Sequence, residues 1–284
     1  MKAEEKERIR ESLRAYVARY PSQNKAAGSL KGTSAGTVSS ILNGRYENIS
    51  DDMWRNLAAQ VGTQPVGGWQ IVETGAFLDI RFALEDAKAW KNVTWVTGEA
   101  GCGKTTAARL YAQEQREVFY IQCSEDMHKS DFVRELARVV GLRTEGLTIR
   151  EMWHRILSDL VQMSSPLVVF DEADKLTEAV FHYFISLYNN LEDRCGVVFL
   201  STDYIEKRIE SGLRNKKAGY KEIYSRIGRK YFTLDPATDG DVYAICQANG
   251  LVDEKGIGHV LDDARKCDYD LRRVKKSVRR ELRG

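Results

Sequence analysis

The clearest chemical pattern in the chain is the loop Gly-Glu-Ala-Gly-Cys-Gly-Lys-Thr at residues 98–105, which fits GxxxxGK[ST] throughout. Glycines let a chain turn so that successive backbone N–H groups point inward and form a nest for an anion. The residues that follow have a helical pattern, and a helix starting there adds its positive end. The loop therefore predicts a binding site for the phosphates of a nucleotide.

The polar residues at the end of this loop and just after it have expected partners in a complex of Mg²⁺ and a nucleotide. Lys104 is predicted to reach the β- and γ-phosphates, the Thr105 hydroxyl to ligate Mg²⁺, and Thr106 to contact the α-phosphate. A chance glycine-rich turn is the alternative. The apolar run before the loop and the helical pattern after it favour the nucleotide site. The other residues predicted to bind the cofactor are Gly98, Gly101, Cys102 and Gly103.

A pair of carboxylates follows the apolar run LVVF, as Asp171 and Glu172. The aspartate is placed to hold Mg²⁺ and the glutamate to polarise an attacking water, so the pair predicts hydrolysis as well as binding. A helix cap for the residues that follow is the alternative. Thr202 ends another apolar run, GVVFLS, and can donate a hydrogen bond to the γ-phosphate or to the water.

Five β-rich runs position these groups, and helical stretches lie between them. This alternation predicts an α/β fold in which a parallel sheet is joined by crossover helices. Ligands of such sheets bind at the carboxyl ends of the strands. The runs occupy residues 93–98, 117–124, 166–174, 195–203 and 229–236.

The first 63 residues have a different pattern, that of four short helices. Ser22 and Ser34 can cap the second and third, and Asn43-Gly44 can end the third. Helix, tight turn, helix and VSxxLNG resemble the helix-turn-helix domain of the lambda-repressor kind, in which the second helix of the motif enters the major groove.

That resemblance implies DNA contacts from small polar residues at the start of the third helix. The segment carries ten basic and seven acidic residues, a modest excess that fits weak DNA affinity. A helical bundle used only for protein contacts is the alternative. The predicted contacts are Ser34, Thr37 and Ser39 with DNA, and Lys31 and Arg45 with phosphates.

Composition limits the classes of protein that need considering. The chain has 284 residues and a formal net charge of +2, which suits one large domain with or without a small one. Its five cysteines lack the spacing of a zinc site or disulfide frame, which predicts reduced thiols. The charged N-terminus is unlike a signal peptide, and no apolar run has the length of a membrane span. We therefore expect a cytoplasmic protein without a membrane partner.

Two arginine motifs complete a resemblance to the AAA+ ATPases over about residues 70–280. Ser225-Arg226 lies before the last predicted strand, and Arg272 is the second residue of the segment LRRVKKSVRR. The resemblance implies that Arg226 is a finger acting on a neighbour's nucleotide and that Arg272 is a sensor in the helical lid. Arg229 and Arg273 are their rivals. Thr202 stands where many relatives have asparagine, which puts the rate of hydrolysis in doubt.

The motifs and a linker between them predict that the chain has four parts. A proline and paired glycines mark a linker. The predicted parts are a helix-turn-helix domain over 1–63, a linker over 64–78, an AAA+ core over 79–235, and a helical lid with a basic tail over 236–284.

Basic residues cluster in two regions that could contact DNA. Residues 204–230 and 265–284 each contain nine basic against three acidic residues. Neutralising phosphates is a common use of such clusters, although many are solvated faces. No base-reading motif occurs in the AAA+ region, so we expect binding that tolerates any sequence. The first candidate is Lys129, which follows the second predicted strand, where the resemblance to ring ATPases implies loops turned toward a central channel; Arg150 and Lys216 are secondary candidates.

A small helix-turn-helix domain before an AAA+ module of this size resembles the phage Mu transposition protein B family, with the Tn7-type and IstB-type helper ATPases. The resemblance implies an ATPase that uses ATP and Mg²⁺, forms a helical filament or ring on double-stranded DNA, and delivers the target to a transposase. Hydrolysis would drive disassembly.

Three other functions remain open. A helicase loader or replication initiator shares the fold, but such proteins usually carry a further partner-binding or winged-helix domain. A transcriptional regulator would use the helix-turn-helix domain first and the ATPase as a nucleotide sensor. An NTPase toxin or signalling switch is the most distant alternative.

Overall fold

The computed structural model describes residues 1–61 and 68–283. The strands are β1 (Val93–Thr97), β2 (Val118–Gln122), β3 (Leu167–Asp171), β4 (Gly196–Ser201) and β5 (Phe232–Thr233). The helices are α1 (Ala3–Val17), α2 (Gln23–Ser29), α3 (Ala35–Leu42), α4 (Asp51–Val61), α5 (Gly75–Trp90), α6 (Lys104–Glu114), α7 (Lys129–Val140), α8 (Ile149–Val161), α9 (Glu178–Leu191), α10 (Tyr204–Arg214), α11 (Tyr220–Arg226), α12 (Asp239–Ala248), α13 (Glu254–Arg265) and α14 (Leu271–Glu281).

The five strands form one parallel sheet in the order β2-β3-β4-β1-β5. Each coincides with one of the five predicted runs, so the α/β prediction is confirmed. Strand β1 lies inside the sheet because β4 and β5 pair with its two edges. The carboxyl ends of β1, β3 and β4 consequently meet at one side of the sheet, where the predicted phosphate loop, carboxylates and Thr202 emerge.

Every residue of β3 and β4 is buried, as expected for strands covered by helices on both faces. One face packs Phe170 and Phe199 with helices α7 to α9, and their ring centroids lie 5.2 Å apart. The opposite face packs Val169 and Leu200 with α5 and α6. Alternate side chains of each strand thus belong to separate apolar clusters, which fixes the strand register.

The N-terminal helices α1 to α4 enclose an apolar cluster of their own, which includes Leu13, Val38 and Trp54. The Ser22 side chain accepts a hydrogen bond from Lys25 N–H, and Ser34 accepts one from Thr37 N–H, as the capping pattern predicted. We call this unit the N-terminal bundle. Its four helices lie where the sequence places them, whereas its assignment as a DNA-binding helix-turn-helix domain stays a prediction.

The N-terminal bundle packs against α6, α7 and α8 of the core. The Lys25 ammonium pairs with Asp159 at 2.7 Å, and the Arg138 guanidinium donates to the Ser29 carbonyl at 2.7 Å. The Tyr20 hydroxyl donates to the Val139 carbonyl at 3.1 Å. These contacts join the two units side by side on the face of the sheet that α7 covers.

Helices α12 to α14 form a lid with its own apolar cluster, against which Trp69 and Val72 pack. The Gln70 N–H and carbonyl both bond the Asn249 side chain, at 2.8 and 3.1 Å. Residues 64–67 of the predicted linker lie outside the described residues, and α5 begins at Gly75, within the range predicted as linker. Within the described part of the chain, no helix is both long and apolar enough to cross a membrane.

Candidate nucleotide-binding site

The phosphate loop joins β1 to α6, and two of its glycines have backbone angles that disfavour other residues. Gly101 has φ +87° and Gly103, which caps α6, has φ +101°. A Cβ on Gly101 would also lie 2.4 Å from Cγ of Asp270, which belongs to the lid. The loop therefore needs glycine both for its turn and for close contact with the start of α14.

The Lys104 ammonium lies inside this loop. It donates to the carbonyls of Gly98 at 2.7 Å and Glu99 at 2.9 Å. It also lies 3.6 Å from Sγ of Cys102, which is buried. A cation enclosed by the turn is placed to meet a phosphate held by the same loop. Thr106 follows on the first turn of α6 and lines the same cavity.

Asp171, at the end of β3, is only 1% exposed and accepts three hydrogen bonds. The Thr105 hydroxyl donates to its Oδ2 at 2.7 Å, and the Tyr120 hydroxyl donates to the same oxygen at 2.6 Å. The Glu172 N–H donates to Oδ1 at 3.0 Å. Thr105 and Asp171, predicted from separate motifs as metal-binding residues, are thus in direct contact.

Glu172 has a left-handed backbone conformation, with φ +55°, at the start of a short 3-10 turn (Ala173–Lys175). Its carboxylate pairs with the Lys175 ammonium at 2.9 Å and accepts a longer bond from the Gln122 amide at 3.4 Å. Burial favours the neutral acid, but the Lys175 and Gln122 contacts outweigh it and hold the pKa of Glu172 below its ordinary value. The carboxylate is therefore charged at neutral pH, as a general base must be.

Thr202 directly follows β4 and donates to the Asp174 carboxylate at 3.0 Å. The Arg208 guanidinium fixes the same turn by donating to the Asp174 carbonyl at 2.9 Å. Glu172 and Thr202 thus border the same 3-10 turn from its two sides.

These residues line one cavity of about 830 Å³, a volume suited to a nucleotide. Residues of the loop, Asp171, Glu172 and Thr202 supply polar lining. Another part of the lining is apolar, which suits a base better than a phosphate. The apolar lining comes from the segment before α5, from α5 and from the lid: Trp69, Ile71, Val72, Phe77, Ile245 and Leu271.

The lid contributes basic side chains to the cavity. Arg272, Lys275 and Arg279, spaced three and four residues apart on α14, all line it. The Lys275 ammonium lies 5.1 Å from the centroid of the Trp69 ring. Arg273, the rival of Arg272, instead pairs with Asp263 at 2.8 Å and does not line the cavity. The structure therefore brings Arg272 to the candidate site and leaves Arg273 within the lid.

Arg226 lies apart from this cavity, at the end of α11. Its guanidinium donates to the Asn189 side chain at 2.6 Å and lies 5.1 Å from the centroid of the Tyr188 ring. Arg229 is exposed in a left-handed conformation, with φ +57°. Neither arginine can serve the nucleotide site of its own chain in this arrangement.

The residues predicted to bind DNA are spread over the surface. Lys129 begins α7, Arg150 lies in the first turn of α8, and Lys216 follows α10; all three are exposed. In the N-terminal bundle, the side chains of Ser34 and Thr37 bond each other at 2.9 Å, and Ser39 accepts from Asn43 at 3.3 Å. These two groups belong to different units of the chain and form no single site.

Several residues of the site carried no sequence signal that identified them. Tyr120 lies in a segment whose pattern predicts only a strand, and Trp69 lies in the segment predicted as linker. Asp174 and Lys175 follow the carboxylate pair within three residues, so their position in the sequence could have identified them. The roles of Tyr120 and Trp69 depend on contacts between distant parts of the chain.

The chain is similar to a known domain family and to known DNA transposition proteins. A family model of the AAA domain matches residues 89–209. The Mu-like prophage FluMu DNA transposition protein B of Haemophilus influenzae is 25% identical over 234 residues, which are 80% of each chain. The ATP-dependent target DNA activator B of Escherichia phage Mu is 26% identical over 91% of this chain and 83% of that protein.

One further phage protein and one solved structure also match. The ATP-dependent target DNA activator B of Escherichia phage D108 is 26% identical over 84% of this chain and 77% of its own. A crystal structure of NtrX from Brucella abortus in complex with ATP aligns with a TM-score of 0.47 and 10% identity, over 88% of this chain and 59% of NtrX.

Proposed function

We propose, for this AAA-domain homologue of the Mu transposition B proteins, that it is an ATPase that assembles on double-stranded target DNA and delivers it to a transposase. The observation that carries the proposal is the contact of Thr105 with Asp171 beneath the phosphate loop, with Glu172 beside them in one cavity. The names of the relatives supply the link to transposition and to target DNA.

ATP is the proposed substrate, bound with its phosphates in the loop. Backbone N–H groups of the loop after Gly98 would donate hydrogen bonds to the phosphates, and the Lys104 ammonium would neutralise part of their charge. The adenine would pack against the apolar part of the lining, in which Trp69 is the largest aromatic side chain. Arg272 would approach from the lid, so that binding draws the lid and the core together.

The donor set fits Mg²⁺, which prefers oxygen ligands and usually keeps several of its waters. The Thr105 hydroxyl donates to Asp171 and retains its lone pairs, so it can ligate a cation without losing that hydrogen bond. Thr105 and Asp171 would hold the ion, which would neutralise negative charge that develops on the phosphates.

Hydrolysis requires that Glu172 orients and deprotonates a water. In the structure Lys175 and Gln122 both bond Oε2 of this carboxylate, so its other oxygen, Oε1, would accept the proton of the water. Thr202 is proposed to orient the γ-phosphate or the water and would then leave Asp174. Because Asp174 lies in the 3-10 turn, that turn is the proposed link between nucleotide binding and catalysis.

Assembly would place an arginine of one subunit at the nucleotide of the next. Arg226 is the proposed finger, and its position outside its own cavity agrees with action on a neighbour. A finger supplied in this way makes a head-to-tail interface, which closes into a ring or extends as a helix. ATP between subunits would hold them together on DNA, and its hydrolysis would release them.

The DNA surface is proposed to include one face of α14 and the residues just after it. Lys276 and Arg280 of α14 and Arg283 beyond it border a groove and do not line the nucleotide cavity. Their side chains could neutralise phosphates of any sequence. The candidates on the core are Lys129, Arg150 and Lys216, and those on α3 are Ser34, Thr37 and Ser39.

The domain organisation proposed with this function keeps the predicted parts, except that the core begins with α5 at Gly75. The N-terminal bundle would be an accessory DNA-binding domain, the sheet and its helices the ATPase core, and α12 to α14 the lid. A cytoplasmic location is proposed because target DNA is found there in a bacterial host.

Electron microscopy with duplex DNA of several unrelated sequences tests the function. We expect rings or filaments on every duplex with ATP and few or none with ADP. Lys104→Ala should form none with either nucleotide, because it lacks the cation for the phosphates. A protein that stays a single subunit on DNA with ATP, or that protects one specific sequence only, would exclude the proposed function.

A further inference from the structure

Two hydroxyl groups converge on one oxygen of Asp171, and only one of them belongs to a known phosphate-site motif. The Thr105 hydroxyl comes from the phosphate loop and lies 2.7 Å from Oδ2. The Tyr120 hydroxyl comes from β2 and lies 2.6 Å from the same atom. The phenol is thus at least as close to this carboxylate as the threonine.

The position of Tyr120 follows from the sheet. In the parallel pairing of β2 with β3, Tyr120 is opposite Val169 and Gln122 is opposite Asp171. Side chains two residues apart share a face, so Tyr120 and Gln122 both lie on the side covered by α6. Arg109 of α6 lies 5.3 Å from the centroid of the Tyr120 ring and donates to Gln122 at 2.7 Å. The ring is therefore held between a strand and a helix.

The hydrogen bonds to Asp171 leave little freedom to its carboxylate. Ionised carboxyl groups offer about four lone-pair sites. Two on Oδ2 are taken by Tyr120 and Thr105, and one on Oδ1 is taken by the Glu172 N–H. A single site on Oδ1 remains, and three donors from three different elements fix the direction in which it points.

We infer that Tyr120 is a positioning residue for the proposed metal ligand Asp171, an inference that rests on the proposed function. The hydroxyl holds the carboxylate in one orientation, so that Asp171 meets Mg²⁺ or its bound water without first losing rotational freedom. A phenylalanine could fill the same space between β2 and α6, so packing alone does not account for a tyrosine. Outer partners of this kind affect metal affinity by about 10–100-fold when they are removed.

Tyr120→Phe tests the inference because it removes one oxygen and keeps the ring. Binding of a fluorescent ATP analogue would be measured as Mg²⁺ is titrated, and again in EDTA. We expect the Mg²⁺ concentration at half-maximal effect to rise about tenfold, with affinity in EDTA within about twofold of the unaltered protein. Tyr220→Phe is the matched control, since it removes a buried phenol's bond to Glu178, 3.1 Å long, remote from the cavity.

A second background separates positioning from a general structural effect. In Asp171→Asn protein, adding Tyr120→Phe should not shift the Mg²⁺ midpoint further, because the phenol acts through the carboxylate. An unchanged midpoint in Tyr120→Phe, an equal shift in Tyr220→Phe, or a full further shift in the Asp171→Asn background would each overturn the inference. If the unaltered protein bound ATP without any response to Mg²⁺, the proposed function itself would fail instead.

Discussion

Gly141 offers the sharpest test of how the N-terminal bundle is attached. It ends α7 with φ +79°, and a Cβ there would lie 2.3 Å from the Lys25 carbonyl oxygen in α2. That atom is backbone and cannot rotate away. Gly141→Ala should therefore force the N-terminal bundle off α7.

Gly146 is the matched control, because its φ is +74° and a Cβ on it would meet nothing within 4 Å. Both alanine substitutions put a side chain in the left-handed region, at about 1–2 kcal/mol each. Only Gly141→Ala also disturbs the bundle contacts, which include the hydrogen bonds from Tyr20 and Arg138 and the Lys25–Asp159 ion pair. Net values of about 0.5–1.5 kcal/mol for each of these two hydrogen bonds give about 1–3 kcal/mol. The ion pair, whose side chains are 31% and 28% exposed, adds at most about 1 kcal/mol.

Urea unfolding measures the difference, and hydrogen exchange locates it. We expect Gly141→Ala to lower the free energy of unfolding by about 1–4 kcal/mol more than Gly146→Ala does. The Glu117 amide, which donates to the Arg19 carbonyl at 3.4 Å, should exchange faster only in Gly141→Ala. Equal losses of stability, with unchanged exchange at this amide, would refute the docked arrangement.

Four further outcomes are expected. Glu172→Gln should bind ATP and DNA but hydrolyse at least about 100-fold more slowly, since it lacks the base, and its complexes should persist in a filter-binding chase. Arg226→Ala should lose ATPase activity and regain part of it when mixed with Lys104→Ala subunits, which have an intact finger. Replacing the outer basic face of α14 with alanine should weaken DNA binding and make it less dependent on salt, while ATP binding stays unchanged; these residues are Lys276, Arg280 and Arg283. Hydrogen bonds from Arg273 and Ser277 lower the pKa of Asp263 to about 2, so its stabilisation of the lid should be complete above about pH 4 and disappear as the pH falls through 2.

Each of these has an opposing result. Normal turnover in Glu172→Gln would remove it as the base, and absence of rescue on mixing would leave the finger assignment without support. An unchanged salt dependence would place the DNA contacts elsewhere. Acid unfolding of Asp263→Asn, followed by circular dichroism, should show a smaller loss of stability between pH 4 and 2 than the unaltered protein shows; an unaltered profile would contradict the role of Asp263.

Local sequence determined the elements and the phosphate loop. Gly101 and Gly103 form a turn with positive φ angles, which residues with a side chain rarely adopt. Continuous apolar runs specify strands that are buried on both faces. The capping serines of α2 and α3 act within three residues. Such features depend on neighbours in the chain, so they could be predicted without knowledge of the fold.

Tertiary structure decided which distant residues meet. The order of the strands places Tyr120 of β2 next to Asp171 of β3. The position of α14 places Arg272 in the lining of the cavity, whereas Arg273 forms an ion pair with Asp263. The docking of the N-terminal bundle on α7, and the contact of Trp69 with the lid, have no local signature either. These contacts join parts of the chain that are separated by up to about 200 residues. Their energies depend on the packing of whole elements, because a side chain's partners across a sheet or a lid are set only when those elements come together.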